Sequence, residues 1–199
     1  MELFALEHSR AAYRADFVLY GTAVVGLPTF LMVAQPLRSW PTLAALALLG
    51  LASWTLIEYA MHRFILHGMP PFRGWHAQHH ARPSARIASP TILSAGLIFG
   101  LVFAPALLLA DAWRACALTL GVLIGYFGYA VTHHATHHWN LDNAWLKRRK
   151  RAHALHHHHR ATSGHYGVTS TFWDHVFGSA DGKRTDKRTD KRTPRLPST

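Results

Sequence analysis

Residues 91–110 read TILSAGLIFGLVFAPALLLA, twenty positions without a charge. At about 1.5 Å per residue a helix of this length covers roughly 30 Å, the hydrocarbon thickness of a bilayer. A buried helix of a soluble bundle keeps a polar face toward water, and this stretch has none. It reads as a membrane-spanning helix over Pro90 to Ala110. Three further stretches match it in length and character: Phe17 to Gln35, Thr42 to Tyr59 and Ala112 to Thr132. The expectation is an all-α integral membrane protein with four transmembrane helices.

The connections give the topology. A short segment holding Pro36, Arg38 and Pro41 joins the first two spans, and a tight turn at Asp111 joins the last two. Two hairpins return the chain to its starting side, so both termini, residues 60–89 and everything after 132 share one face. Of 21 Lys and Arg, only Arg38 and Arg114 fall on the other side. The positive-inside rule then makes the crowded face cytoplasmic.

Composition excludes several classes. The lone Cys116 permits neither a disulfide framework nor a thiolate cluster. The basic excess, 21 against 10 acids, lies beside apolar spans and in the C-terminal tail without a nucleic-acid module, so no nucleic-acid partner is expected and a membrane surface accounts for it. Glu2 and Glu7 sit in a mildly amphipathic start that does not read as a cleaved signal. From Lys183 the chain repeats Lys-Arg-Thr-Asp, which has nothing apolar to bury. Residues 1–180 are expected to form one membrane domain and 181–199 a disordered basic tail.

The histidines carry the chemistry. Sixteen of 17 follow position 60, on the expected cytoplasmic side. Residues three or four apart share a helix face, so His76, His79 and His80 converge, as do His153, His156 and His157. His133 and His137 are four apart, but so are His134 and His138, and His158 and His159 extend the last block. His62 and His67 are five apart, about 140° on an ideal helix; they converge if the helix ends or distorts near Gly68, and Gly68, Pro70 and Pro71 provide an end. Imidazole suits Fe, Zn, Cu and Ni alike. Carboxylate-bridged di-iron bundles use Glu-x-x-His, which is absent, so an all-histidine paired metal site in a helical cap at the membrane surface is expected. Glu58, one turn before His62, and Asp174, beside His175, could orient a ligand imidazole from behind.

Other residues are ambiguous. Trp54, Tyr59, Phe64, Trp75, Trp139 and Trp145 could wall a lipid portal or anchor the protein at the interface. Lys147 to Arg151 could dock an acidic partner or fix topology. A transporter would want ionisable groups at mid-membrane and a zinc protease a His-Glu-x-x-His helix; neither is present. A non-redox membrane metal-binding protein remains the other class.

These motifs resemble the fatty acid hydroxylase and sterol desaturase superfamily. Glu58 to Gly68 is similar to its first histidine box, Trp75 to His80 to the second, Thr132 to His138 to the third, His153 to His157 to the fourth, and Tyr166 to Gly178 to its closing signature. The first-box gap and the Gly-Val-Thr-Ser-x-Phe-Trp-Asp ending most resemble the fatty acid 2-hydroxylase branch. Carotenoid hydroxylases are nearest among the rivals and space the third box more widely; sterol hydroxylases and desaturases belong to the same superfamily. The resemblance implies ten metal ligands: His62, His67, His76, His79, His80, His133, His137, His153, His156 and His157. Its Tyr-x-x-Thr-His context favours His133 and His137 over the alternative pair. It also implies two iron ions, with zinc able to substitute in preparations, O2 as co-substrate and hydroxylation of a lipid acyl chain. Redox-inert zinc could not supply that oxidation. Some relatives carry a fused cytochrome b5 domain for which this chain has no room, so a separate cytochrome b5-like or ferredoxin-like donor is expected.

Overall fold

The computed structural model describes residues 7–158 and 164–180; the expected basic tail at 181–199 lies outside them. The regular structure is helical, apart from one antiparallel bridge between Glu7 and Ile87. In chain order the α-helices are α1 (Arg10–Ala34), α2 (Trp40–Ala60), α3 (Phe72–Ala81), α4 (Thr91–Ile98), α5 (Ala104–Leu109), α6 (Ala112–His138), α7 (Ala144–His158) and α8 (Phe172–Val176).

Among the described residues, four helical runs are long and apolar enough to cross a membrane: Arg10–Ala34, Leu37–Leu66, Thr91–Leu109 and Ala112–His138. Their outward side chains are apolar and bare. Val33, Leu108 and Leu109 are 84%, 86% and 88% exposed, an arrangement that lipid stabilises and water does not. The second and fourth runs continue past the expected ends at Tyr59 and Thr132. Apolarity stops at the hydrocarbon boundary, whereas helical hydrogen bonding continues, and it is these extensions that carry His62, His133 and His137.

Local chemistry explains the joints. Asp111 caps α6, its carboxylate accepting the N–H groups of Trp113 at 3.0 Å and Arg114 at 2.9 Å. Between α4 and α5 the helix widens to a π-helical turn at Phe99–Phe103, where Ala104 N–H reaches Phe99 O. Pro105 follows at once, and the wider turn gives its ring room beside the carbonyl of the preceding turn.

The central pair is α2 against α6, and small residues set how closely they approach. A Cβ on Gly121 would stand 1.9 Å from Ala47 O, one on Gly50 2.2 Å from Leu118 O, and one on Gly125 2.3 Å from Trp54 Cγ. Backbone therefore meets backbone, the Gly121-x-x-x-Gly125 spacing presenting both to one helix face. The far end is sealed by Leu31, Leu43, Ala117 and Leu120. At the other end α3 and α7 pack on the extensions of α2 and α6.

Candidate metal centre

Immediately after α2 the backbone makes a second π-helical turn, Met61–Leu66. His67 N–H donates to His62 O at 3.2 Å, the i to i+5 bond that brings residues five apart onto one face. Their ring centroids are 5.3 Å apart. The distortion that the five-residue spacing required is thus present, within residues 61–66 and ahead of Gly68.

The ten imidazoles expected as ligands are brought together in two sets. In the first, ring nitrogens of His62, His67, His76, His80 and His156 all lie within 4.8 Å of one another. Nε2 separations are 3.0 Å for His62–His76, 3.0 Å for His76–His80, 3.1 Å for His80–His156 and 3.0 Å for His156–His67. The second groups His79, His133, His137 and His153 within the same 4.8 Å. His157 joins it, its Nε2 3.1 Å from that of His153, while its ring stacks on His80 at 4.2 Å; it sits between the sets. Two nitrogens each about 2.1 Å from one metal and at right angles would lie about 3.0 Å apart, so the spacing fits a shared cation.

Tautomers supply a sharper test of fit. His62 Nδ1 lies 2.5 Å from Tyr166 O and His156 Nδ1 2.8 Å from Gly164 O. A carbonyl only accepts, so both Nδ1 atoms carry the hydrogen and both Nε2 lone pairs face the cluster. Two converging lone pairs repel unless a cation lies between them, and a carbonyl behind a ligand imidazole is the usual orienting partner. The donor set therefore fits a metal ion. In the second set His79, His153 and His157 have buried Nδ1 atoms with no hydrogen-bond partner among the described residues.

Burial, reinforced by neighbouring imidazoles, holds these rings neutral. It pushes His67 down to about 4 and His79 and His157 to about 3, and His76 and His153 well below the ordinary histidine range. The neutral ring is the ligating form.

Residues 164–170 deliver the two carbonyls, and two buried carboxylates hold that loop. Tyr166 N–H donates to Asp174 Oδ1 at 2.8 Å and Gly167 N–H to Oδ2 at 2.9 Å. Val168 and Thr169 N–H both donate to Glu58 Oε1, at 2.7 and 2.9 Å, and Thr169 Oγ1 donates to Oε2 at 2.5 Å. Four consecutive amides are thereby satisfied by acids 116 positions apart in the sequence. Gly167 is required at the turn, since a Cβ there would stand 1.8 Å from Ser170 O. Arg149 Nη1 adds a bond to Thr169 O at 3.3 Å. Glu58 and Asp174 could have stood directly behind an imidazole; instead they hold the loop backbone whose carbonyls meet His62 and His156. Composition could not point to Gly164 or Tyr166, because the orienting atoms are backbone oxygens.

The alternative histidines lie elsewhere. His134 turns toward α1, its Nδ1 3.1 Å from Tyr13 OH and its ring 5.6 Å from Phe17, and His138 packs on it at 4.6 Å. His158 is exposed at the end of α7, and His159 lies outside the described residues.

A cavity of about 130 Å³ opens against the clustered histidines. His76, His79 and His133 form one wall, and Tyr13, Asp16 and Tyr126 line it from α1 and α6. Of the six aromatics that could wall a lipid portal or anchor the protein at the interface, Trp75 lines it and the other five do not. Tyr129, parallel to the His133 ring at 5.7 Å, also faces it.

A family model described as fatty acid hydroxylase matches residues 47–179, which include every one of these histidines. The chain belongs to the fatty acid hydroxylase family. Among curated members, a dihydroceramide fatty acyl 2-hydroxylase of Arabidopsis thaliana is 34% identical over 154 residues, 72% of this chain and 64% of that protein. A ceramide very long chain fatty acid hydroxylase of Schizosaccharomyces pombe is 36% identical over 145 residues, 66% of this chain and 41% of its own length. The fatty acid 2-hydroxylase of Homo sapiens is 29% identical over 156 residues. The chain thus spans 41–64% of the length of its plant and fission yeast relatives. Its fold is similar to that of full-length scs7p, of which only the hydroxylase domain is visible, with a TM-score of 0.71 and 28% identity over 84% of this chain and 66% of that one.

Proposed function

We propose that this protein is a membrane-embedded hydroxylase of lipid acyl chains, with a two-iron site held by the ten histidines at the cytoplasmic surface. The observation that carries this reading is the pair of imidazole sets with about 3 Å between neighbouring nitrogens, beside a cavity lined by aromatic side chains. The relatives' names, acyl hydroxylases acting on ceramide and fatty acid, support the substrate class. When bound, the iron pair would supply O2 activation for a reaction in which RH, O2, two electrons and two protons yield ROH and water.

The protein's part is to hold and to exclude. Gly164 and Tyr166 carbonyls fix the tautomers of His156 and His62, and the Glu58 and Asp174 clamps keep those carbonyls in place. Tyr126, Phe127 and Tyr129 line the cavity and keep water from the reacting carbon, while the rest of the acyl chain remains in lipid at little desolvation cost. Electrons come from a separate cytochrome b5-like or ferredoxin-like donor on the face rich in Lys and Arg, which the positive-inside rule makes cytoplasmic. Residues 1–180 form the membrane domain. Third-box histidines with three residues between them favour a fatty-acyl substrate over a carotenoid.

The test is expression in a host of defined lipid composition, comparing lipid mass spectra for the protein and its His79→Ala variant. Addition of one oxygen that vanishes in the variant is the expected result. Loss of two hydrogens would instead make the enzyme a desaturase, and identical lipids from both would overturn the reading.

A further inference from the structure

The cavity wall opposite the histidines comes from α1, which lies outside the segment matched by the family model. Its charged residue there is Asp16. Thr91 Oγ1 donates to Asp16 Oδ1. Oδ2 faces His8 Nδ1 at 3.4 Å, an ion-pair contact and not a hydrogen bond. The carboxylate is 18% exposed. A carboxylate accepts about four hydrogen bonds, so acceptor capacity remains free at the cavity.

No Lys or Arg lines the cavity among the described residues; Arg86 is turned to His8, its Nε donating to His8 O at 3.2 Å. A void of about 130 Å³ holds only the few atoms around a reacting carbon. Asp16 lines the same cavity as His76, His79 and His133, so a lipid head bonded to Asp16 keeps its neighbouring carbons in the space that those histidines wall.

We propose that Asp16 is a specificity-determining residue whose carboxylate accepts a hydrogen bond from a neutral, donor-bearing lipid head such as an amide N–H or hydroxyl. This rests on the hydroxylase reading above and narrows it. The anchored head places the acyl carbons nearest the carbonyl against the metal-facing histidines, which sets attack close to the head. The same carboxylate repels the anion of a free fatty acid, for which the cavity wall offers no lysine or arginine.

The test uses the full chain purified in detergent with N-palmitoyl sphinganine and palmitate as probes, read by donor-driven turnover and, independently, by lipid-induced thermal stabilisation. Asp16→Asn preserves shape and an acceptor for Thr91 while removing the charge. It should raise KM for the amide lipid about 10-fold or more, leave kcat within about twofold, and raise the use of palmitate relative to the amide. Asp16→Glu should keep the preference for the amide. An unchanged substrate ratio in Asp16→Asn, or an equal loss for both lipids, overturns the assignment. If the parent protein hydroxylates neither lipid, the hydroxylase reading falls; stabilisation by the amide lipid that weakens in Asp16→Asn would still support the Asp16 contact, and its absence would end it.

Discussion

His62 donates its Nδ1 hydrogen to the carbonyl oxygen of Tyr166 across 2.5 Å, which joins the end of the second membrane helix to a loop 104 positions later. That loop is held in turn by Glu58 and Asp174. Replacing Asp174 by Ala would leave the N–H groups of Tyr166 and Gly167 buried without acceptors, at about 1–3 kcal/mol each. The melting temperature should fall by roughly 5–15 °C, and bound metal by about one ion per chain, because His62 and His156 lose their orientation. Elemental analysis beside thermal melts checks this; full metal content in Asp174→Ala would show that the loop does not orient the ligands.

The two pairs in the third histidine block face different surroundings, His133 and His137 the imidazole cluster and His134 and His138 the side of α1. His133→Ala and His137→Ala should each lower metal content toward one ion per chain. His134→Ala, which removes the ring facing Tyr13 and Phe17, and His138→Ala, which removes the ring packed on His134, should leave it unchanged. The reverse ranking would mean that the other pair binds.

Acid should destabilise the metal-free protein in a defined window. Histidine in an unfolded chain titrates near about 6.5, whereas burial holds folded His67 at about 4 and His79 and His157 at about 3. Between these limits the unfolded state binds more protons, so stability is full above about pH 6.5 and is lost as pH falls toward 3. Thermal melts of metal-free protein should decline steadily from pH 7 to pH 4, and bound metal should move that decline to lower pH by competing with protons for the same nitrogens. A melting temperature that is flat over this range contradicts the account.

Close approach of α2 and α6 makes Gly121 intolerant of any side chain. Gly121→Ala should cost about 1–3 kcal/mol as the helices move apart. Gly128→Ala, whose Cβ would meet nothing within 4 Å, is the neutral control. Equal melting temperatures for the two variants would refute the close contact.

What the sequence disclosed divides along physical lines. Spans and histidine spacing were legible because apolar length and helical period are properties of side-chain order. Helical period left His133 and His134 undecided, since both pairs obey it; the family resemblance favoured His133 and His137, and the turn of His134 toward Tyr13 on α1 separates them physically. The π-helical turn was visible as a conflict between a five-residue spacing and an α-helix, though not its position. The carbonyls of Gly164 and Tyr166 were invisible because every residue has one. Asp16 drew no attention because a single acid just before the expected start of a span at Phe17 gives no pattern; its meaning depends on the cavity wall it joins.

The clamp on residues 166–169 also has a bearing on biosynthesis. Glu58 leaves the ribosome long before Asp174, and its partners Val168 and Thr169 follow only after all four apolar helices have been made. Until then the tautomers of His62 and His156 are unfixed. Membrane insertion can thus proceed with the histidines uncommitted, and the cluster takes its final form only after the four spans have been made.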